Sequence, residues 1–173
     1  MNLRSSSRRA LVGAAGAVPN TWVEKVLEYR AGVELTIRFD PPDELAQNGY
    51  RPERARIVLS PYTEVPEAFP LGPRRTWRHR NPRPGDTDPV HATGALCLWY
   101  PKDPRPLRWE PEDGFEAYFV FSARHLFSEE FFRREGYWPS EETPHGHPGG
   151  TGRWTVKSEE LRNIVERHKE PVA

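Results

Sequence analysis

The order of patterned segments predicts an α+β protein, with an antiparallel β-meander first and helices last. Three observations carry this. Val33, Leu35, Ile37 and Phe39 alternate with Glu34, Thr36, Arg38 and Asp40, the period-two signature of a half-buried strand. Arg54-Ala55-Arg56-Ile57-Val58-Leu59 is a second β-prone run, stopped by Ser60-Pro61. From Gly114 onward the apolar spacing becomes helical, and runs of strands followed by runs of helices argue α+β with an antiparallel sheet.

Taken in order, residues 1–20 are small and basic and read as an N-terminal lead-in, helical or frayed, ended by Pro19-Asn20. Ser7-Arg8-Arg9-Ala10-Leu11-Val12 has the outline of a twin-arginine export signal, but the run behind it is mostly Ala and Gly and makes a weak apolar region. Val23, Val26, Leu27 and Tyr29 fit either a helix or a strand; as a strand, they form a hairpin with 33–40 through Arg30-Ala31-Gly32. Asn48-Gly49 marks a turn. From Pro61 to Pro89 there are seven prolines, few aliphatics and many arginines, which predicts a long loop without regular elements. Val90 to Trp99 reads as an extended segment, and Pro101 to Pro111 as a Pro-rich crossing anchored by Trp109.

Ser122 is the expected N-cap of a helix that carries Leu126, Phe127, Phe131 and Phe132 inward and Glu129, Glu130, Arg133, Arg134 and Glu135 outward, with Gly136 as its C-cap. The aromatic stripe is read as core. Residues 139–152 are loop, and 156–168 can form a last amphipathic helix. The expected organisation is a lead-in (1–20), one domain (21–150) and a C-terminal helix or tail (151–173).

The 173 residues carry 25 basic and 25 acidic side chains, so the simplest argument for a nucleic-acid partner is removed. Mean hydropathy is −0.81, and no segment approaches the ~18 apolar residues of a membrane span. Six Trp can build a core from few aliphatics. A single cysteine excludes an intramolecular disulfide and a multi-cysteine zinc site, and makes a reducing, cytoplasmic location the default expectation.

That cysteine, Cys97, lies between Leu96 and Leu98 after Thr93-Gly94-Ala95. A lone cysteine is commonly an inert small hydrophobe. It becomes a nucleophile when a base is brought beside it. His91 lies six residues before Cys97, and His145 and His147 lie downstream in a Gly/Pro loop. The His145-x-His147 pair has no identifiable third ligand and is a weak metal signal, so no metal or cofactor is expected.

Three blocks together carry a resemblance. They are Arg54 to Pro61; His91-x-x-Gly94-x-Leu96-Cys97-Leu98 with Pro101 and then Trp109; and Phe131-x-x-x-x-Gly136-Tyr137-Trp138-Pro139 leading to Pro144-His145-Gly146. They resemble the prokaryotic ubiquitin-conjugating-enzyme-like family, and within it the stand-alone members found in bacterial antiphage operons of the cyclic-oligonucleotide signalling type (CBASS). The resemblance covers about residues 22–148. The His-Pro-Asn triplet of eukaryotic relatives, whose asparagine serves the oxyanion, is absent. His79-Arg80-Asn81-Pro82 mimics it too far upstream.

The resemblance implies a ubiquitin-conjugating-enzyme-like fold, a meander followed by an active-site loop and C-terminal helices. It implies that Cys97 accepts a protein C-terminus as a thioester and passes it to an amine, with His145 deprotonating the amine and backbone N–H groups near Leu98 serving the oxyanion. His91 is a further candidate. The implied partner is a protein, either a cGAS-like nucleotidyltransferase or a ubiquitin-like protein, with no nucleic acid and no membrane. Two other readings stand beside it: a non-catalytic interaction module on the same fold presenting the 61–89 loop, and a Cys–His hydrolase of another fold.

Overall fold

The computed structural model describes residues 3–29, 32–60, 65–72, 77, 79–81, 94–100 and 103–139, with the side chains of 3–7 left aside. The expected C-terminal helix at 156–168 and the 140–152 loop lie outside the described residues. The architecture is α+β. A helix α1 (Leu3–Ala17) leads into strands β1 (Thr21–Tyr29) and β2 (Gly32–Phe39). A short α2 (Asp43–Gln47) then precedes β3 (Glu53–Leu59) and β4 (Glu67–Leu71), and the long helix α3 (Gly114–Glu135) comes last. The four strands form one antiparallel sheet in the order β1-β2-β3-β4.

The alternation in β2 holds residue by residue: Val33, Leu35, Ile37 and Phe39 are all buried. β1 was ambiguous for a local reason. Its register slips between Val23 and Lys25, where Glu24 is the extra residue of a β-bulge. The bulge puts Val23 opposite Ile37 and Val26 opposite Leu35, so two valines three apart share the core face. That spacing mimics a helix.

α1 is more than a lead-in. It packs on α3, β1 and β2, and Leu11 and Ala15 are fully buried in the common core. Asn20, at φ 58°, makes the turn into β1, and its carbonyl accepts the Asp40 N–H at 2.8 Å. On the outer face of the sheet, Arg54 pairs with Glu24 and Arg56 with Glu34, an ordinary solvated charged face.

Three expectations need correction. The loop predicted for 61–89 contains β4, whose Pro70 sits opposite Ala55. Proline lacks the N–H a central strand would need, but β4 is the last strand of the four-stranded sheet, a position where proline is tolerated. Ser122 does not start a helix: α3 runs unbroken through it, and its buried hydroxyl donates back to the Tyr118 carbonyl at 2.9 Å. Glu129 is not on the wet face; it is fully buried. Arg133 bonds instead to Glu130 at 2.9 Å and to the buried Glu53 of β3 at 3.3 Å, while Arg134 takes the other Glu130 oxygen at 2.9 Å. Gly136 does end the helix, at φ 78° with its N–H on the Phe132 carbonyl.

Candidate functional site around Cys97

Leu96 and Leu98 are buried at 4% and 8% exposure, while Cys97 between them is only half-buried. In extended backbone, alternate side chains take opposite faces, so two leucines directed into the core turn the thiol outward. Two neighbours hold this segment. On one side the Leu96 N–H donates to Ala68 of β4 at 2.7 Å. On the other, Arg80 and Leu96 form an antiparallel bridge, with Cys97 N–H on the His79 carbonyl at 3.0 Å and Asn81 N–H on the Ala95 carbonyl at 2.8 Å.

This pairing revises the spacing argument. His79-Arg80-Asn81 is distant in sequence from Cys97 but lies directly alongside it, through the pairing of Arg80 with Leu96. With Arg80 opposite Leu96, His79 falls opposite Cys97, and directly opposed residues of an antiparallel pair share a face. Asn81 is exposed at the same place. The Arg80 side chain adds to this pairing, its Nε donating to the Gly94 carbonyl at 2.8 Å.

Gly94 is required by this close approach. A Cβ there would stand 2.0 Å from the Asn81 carbonyl oxygen and 2.9 Å from its carbon, both backbone atoms. The glycine of the Gly94-x-Leu96-Cys97 motif is therefore a packing requirement rather than a loop marker.

Beyond the cysteine, the chain is tied down by its own polar groups. Asp103 accepts the Tyr100 N–H at 2.8 Å. Arg105 forks onto Asp113 at 2.9 and 2.7 Å, which holds the Asp113 carboxyl below its usual range. Trp109 is buried, and its indole N–H donates to the Gly114 carbonyl at 2.6 Å. Trp99 stands against Trp109, Tyr118 and Phe121, with ring centroids 5.8–6.0 Å apart.

Burial pushes the Cys97 thiol up, and the negative charge of Asp103 adds to it. Among the described residues, the sulfur donates a hydrogen bond to the Trp99 carbonyl at 3.5 Å.

Behind the segment lies a group of side chains from α3 and its exit. The buried carboxylate of Glu129 accepts the His79 N–H at 2.8 Å, and the buried His125 Nε2 is 3.6 Å from the same oxygen. The His79 ring stands edge-on to Trp138 at 4.5 Å, and His125 lies 5.6 Å from Trp138. Trp138 of the third sequence block thus packs on His79, the residue paired with Cys97.

His91 and His145, the two candidate bases, lie outside the described residues, as does His147. No group of three or more His, Cys, Asp or Glu suited to a metal ion occurs among the described residues. None of the described helices is long and apolar enough to cross a membrane. Comparison with known proteins returns no match: no family model, no curated protein and no solved structure is similar to this chain.

Proposed function

We propose that this protein is a ubiquitin-conjugating-enzyme-like acyl carrier. In this reading Cys97 receives the C-terminal carboxyl of a protein partner as a thioester and transfers it to an amine. The supporting observation is the presentation of the only thiol: an outward, half-buried sulfur on an extended segment pinned between β4 and His79–Asn81. The four-stranded meander followed by this segment and a long helix is the order the resemblance implies.

The chemistry runs in two displacements. The Cys97 sulfur, losing its proton, attacks an activated carboxyl; a C–S bond forms and the donor's adenylate or thiol leaves. An amine then attacks the same carbonyl carbon, the C–S bond breaks, the amine loses a proton and the thiolate regains one. A thiol of raised pKa suits a carrier. Its thiolate is intrinsically more nucleophilic once formed and a poorer leaving group once acylated, so the thioester survives water until an amine is presented. Asn81, exposed beside Ala95 and Cys97, joins the backbone N–H groups near Leu98 as a candidate for the oxyanion. His145 and His91 stay as candidates for accepting the amine proton. The partner expected is a cGAS-like nucleotidyltransferase or a ubiquitin-like protein, within cytoplasmic bacterial antiphage defence of the CBASS type.

The test is a gel-shift experiment with the protein, a candidate carboxyl donor, an adenylating enzyme and ATP. The parent should give a thiol-sensitive adduct, Cys97→Ser a thiol-resistant oxyester, and Cys97→Ala none. A Cys97→Ala protein that retains full protection against phage would favour the non-catalytic interaction module, which the neutral, carbonyl-bound thiol also suits. Release of a free acyl product without any amine would favour a hydrolase.

A further inference from the structure

We propose that Glu129 is a positioning residue for Cys97, a buried carboxylate that fixes the cysteine's backbone through the backbone of His79. The role in transfer rests on the thioester reading; the geometry stands without it.

α3 carries two adjacent glutamates with different uses. Glu130 faces outward and neutralises Arg133 and Arg134. Glu129 has no exposed surface, and burying a carboxylate is costly unless its oxygens are given donors. An apolar residue of similar size would fill the position as well or better if packing were its only task. Glu129 Oε1 accepts the His79 N–H at 2.8 Å, and the carbonyl of His79 in turn accepts the Cys97 N–H at 3.0 Å.

The result is a relay of two hydrogen bonds. It runs from α3, through a residue that belongs to no helix or strand, to the nucleophile. His79 lies next to the single bridge at Arg80, and the Glu129 bond adds an anchor on α3 to that pairing. The rings hold the same residue from the side: Trp138 at 4.5 Å and His125 at 6.1 Å. The buried His125 Nε2 lies 3.6 Å from the Glu129 oxygen, beyond a good hydrogen bond. Among the described residues it has no other partner, so the His79 N–H holds the better-placed bond to that oxygen.

Thioester exchange needs the sulfur aligned with an incoming carbonyl, and small displacements are costly in rate. A strong acceptor behind the cysteine segment supplies that alignment without touching the reacting atoms.

The experiment compares the parent with Glu129→Gln and Glu129→Met. Cys97 is the only thiol, so iodoacetamide addition followed by intact mass reports on it alone. Glutamine keeps an acceptor oxygen, and its alkylation rate should stay within about twofold of the parent. Methionine removes the acceptor, and the rate should rise by about fivefold, the factor one net hydrogen bond represents. Amide exchange at Cys97 should quicken by a similar factor, while the urea unfolding midpoint shows that the variant stays folded under the conditions of both assays, so the effect is local.

A folded Glu129→Met protein with parental alkylation and Cys97 exchange overturns the proposal. So does a parent protein whose His79 amide exchanges at the free-peptide rate, a measurement that needs no variant. Neither readout uses a donor or an acceptor. If both behave as expected and no thioester ever forms, the positioning role stands and the transferase reading falls.

Discussion

Replacing Gly94 with alanine probes the cysteine segment without touching the sulfur. The added Cβ would lie 2.0 Å from the Asn81 carbonyl oxygen. Ordinary contact begins near 3.4 Å, so the two backbones must separate by about 1.4 Å. Neither side is a flexible side-chain tip that can swing away. Three hydrogen bonds span the gap that would open: Arg80 Nε to Gly94 O and Asn81 N to Ala95 O at 2.8 Å each, and Cys97 N to His79 O at 3.0 Å. At about 1 kcal/mol net per bond, losing two or three costs about 2–3 kcal/mol, and the Leu96 and Leu98 packing they hold adds to that. The assay is urea denaturation followed by tryptophan fluorescence, run beside Cys97 alkylation. Gly94→Ala should lower stability by about 2–4 kcal/mol and quicken alkylation at low urea, where the protein is still folded. A variant within about 0.5 kcal/mol of the parent, with unchanged alkylation, would refute the close pairing of Gly94 with Asn81 and with it the site geometry.

Two further outcomes follow from buried tyrosines. Tyr118 is fully buried and its hydroxyl donates to the Pro66 carbonyl at 3.0 Å, so Tyr118→Phe should cost about 1–2 kcal/mol in urea midpoint analysis while leaving the ring contacts intact. Alkaline pH should weaken the fold. Burial raises Tyr50 to about 12, and also raises Tyr118 and the Cys97 thiol; each is held neutral in the folded state at pH values where the unfolded chain has already ionised. The stability these groups contribute is complete below their unfolded pKa values, roughly 8.5 for the thiol and 10 for the phenols, and is lost as pH rises through the folded values. Unfolding free energy measured from pH 8 upward should fall progressively. Tyr50→Phe should remove part of the loss above pH 10, since the Tyr50 hydroxyl is buried with no hydrogen-bond partner among the described residues. A flat profile to pH 12 would contradict the burial of these groups.

Much of the framework is legible in the chain, because it rests on local pattern. The two-residue period of Val33 to Phe39 describes β2, and the run from Arg54 to Leu59 describes β3. Gly136 ends α3 through a left-handed conformation that glycine adopts without strain. The prominence of Cys97 between two leucines is also local, since alternation alone turns it away from the core.

Other features depend on partners far along the chain. Period-two reasoning leaves β1 open between helix and strand because Glu24 bulges out of register with β2, and β4 escapes notice because Pro70 is allowed only by its place at the end of the sheet. The charge of Glu129 argues for the wet face, although it lies at helical spacing from the buried Tyr118, Ser122 and His125; the His79 N–H, distant in sequence, gives the buried carboxylate a donor. Spacing separates Asn81 from Cys97, and the backbone pairing of 79–81 with 95–97 joins them. Composition and local period thus decide where β2, β3 and the end of α3 fall and which residue is the nucleophile candidate. What surrounds that candidate is decided by backbone pairing across long intervals, which no local pattern encodes, because those hydrogen bonds are chosen by what the folded core brings within about 3 Å.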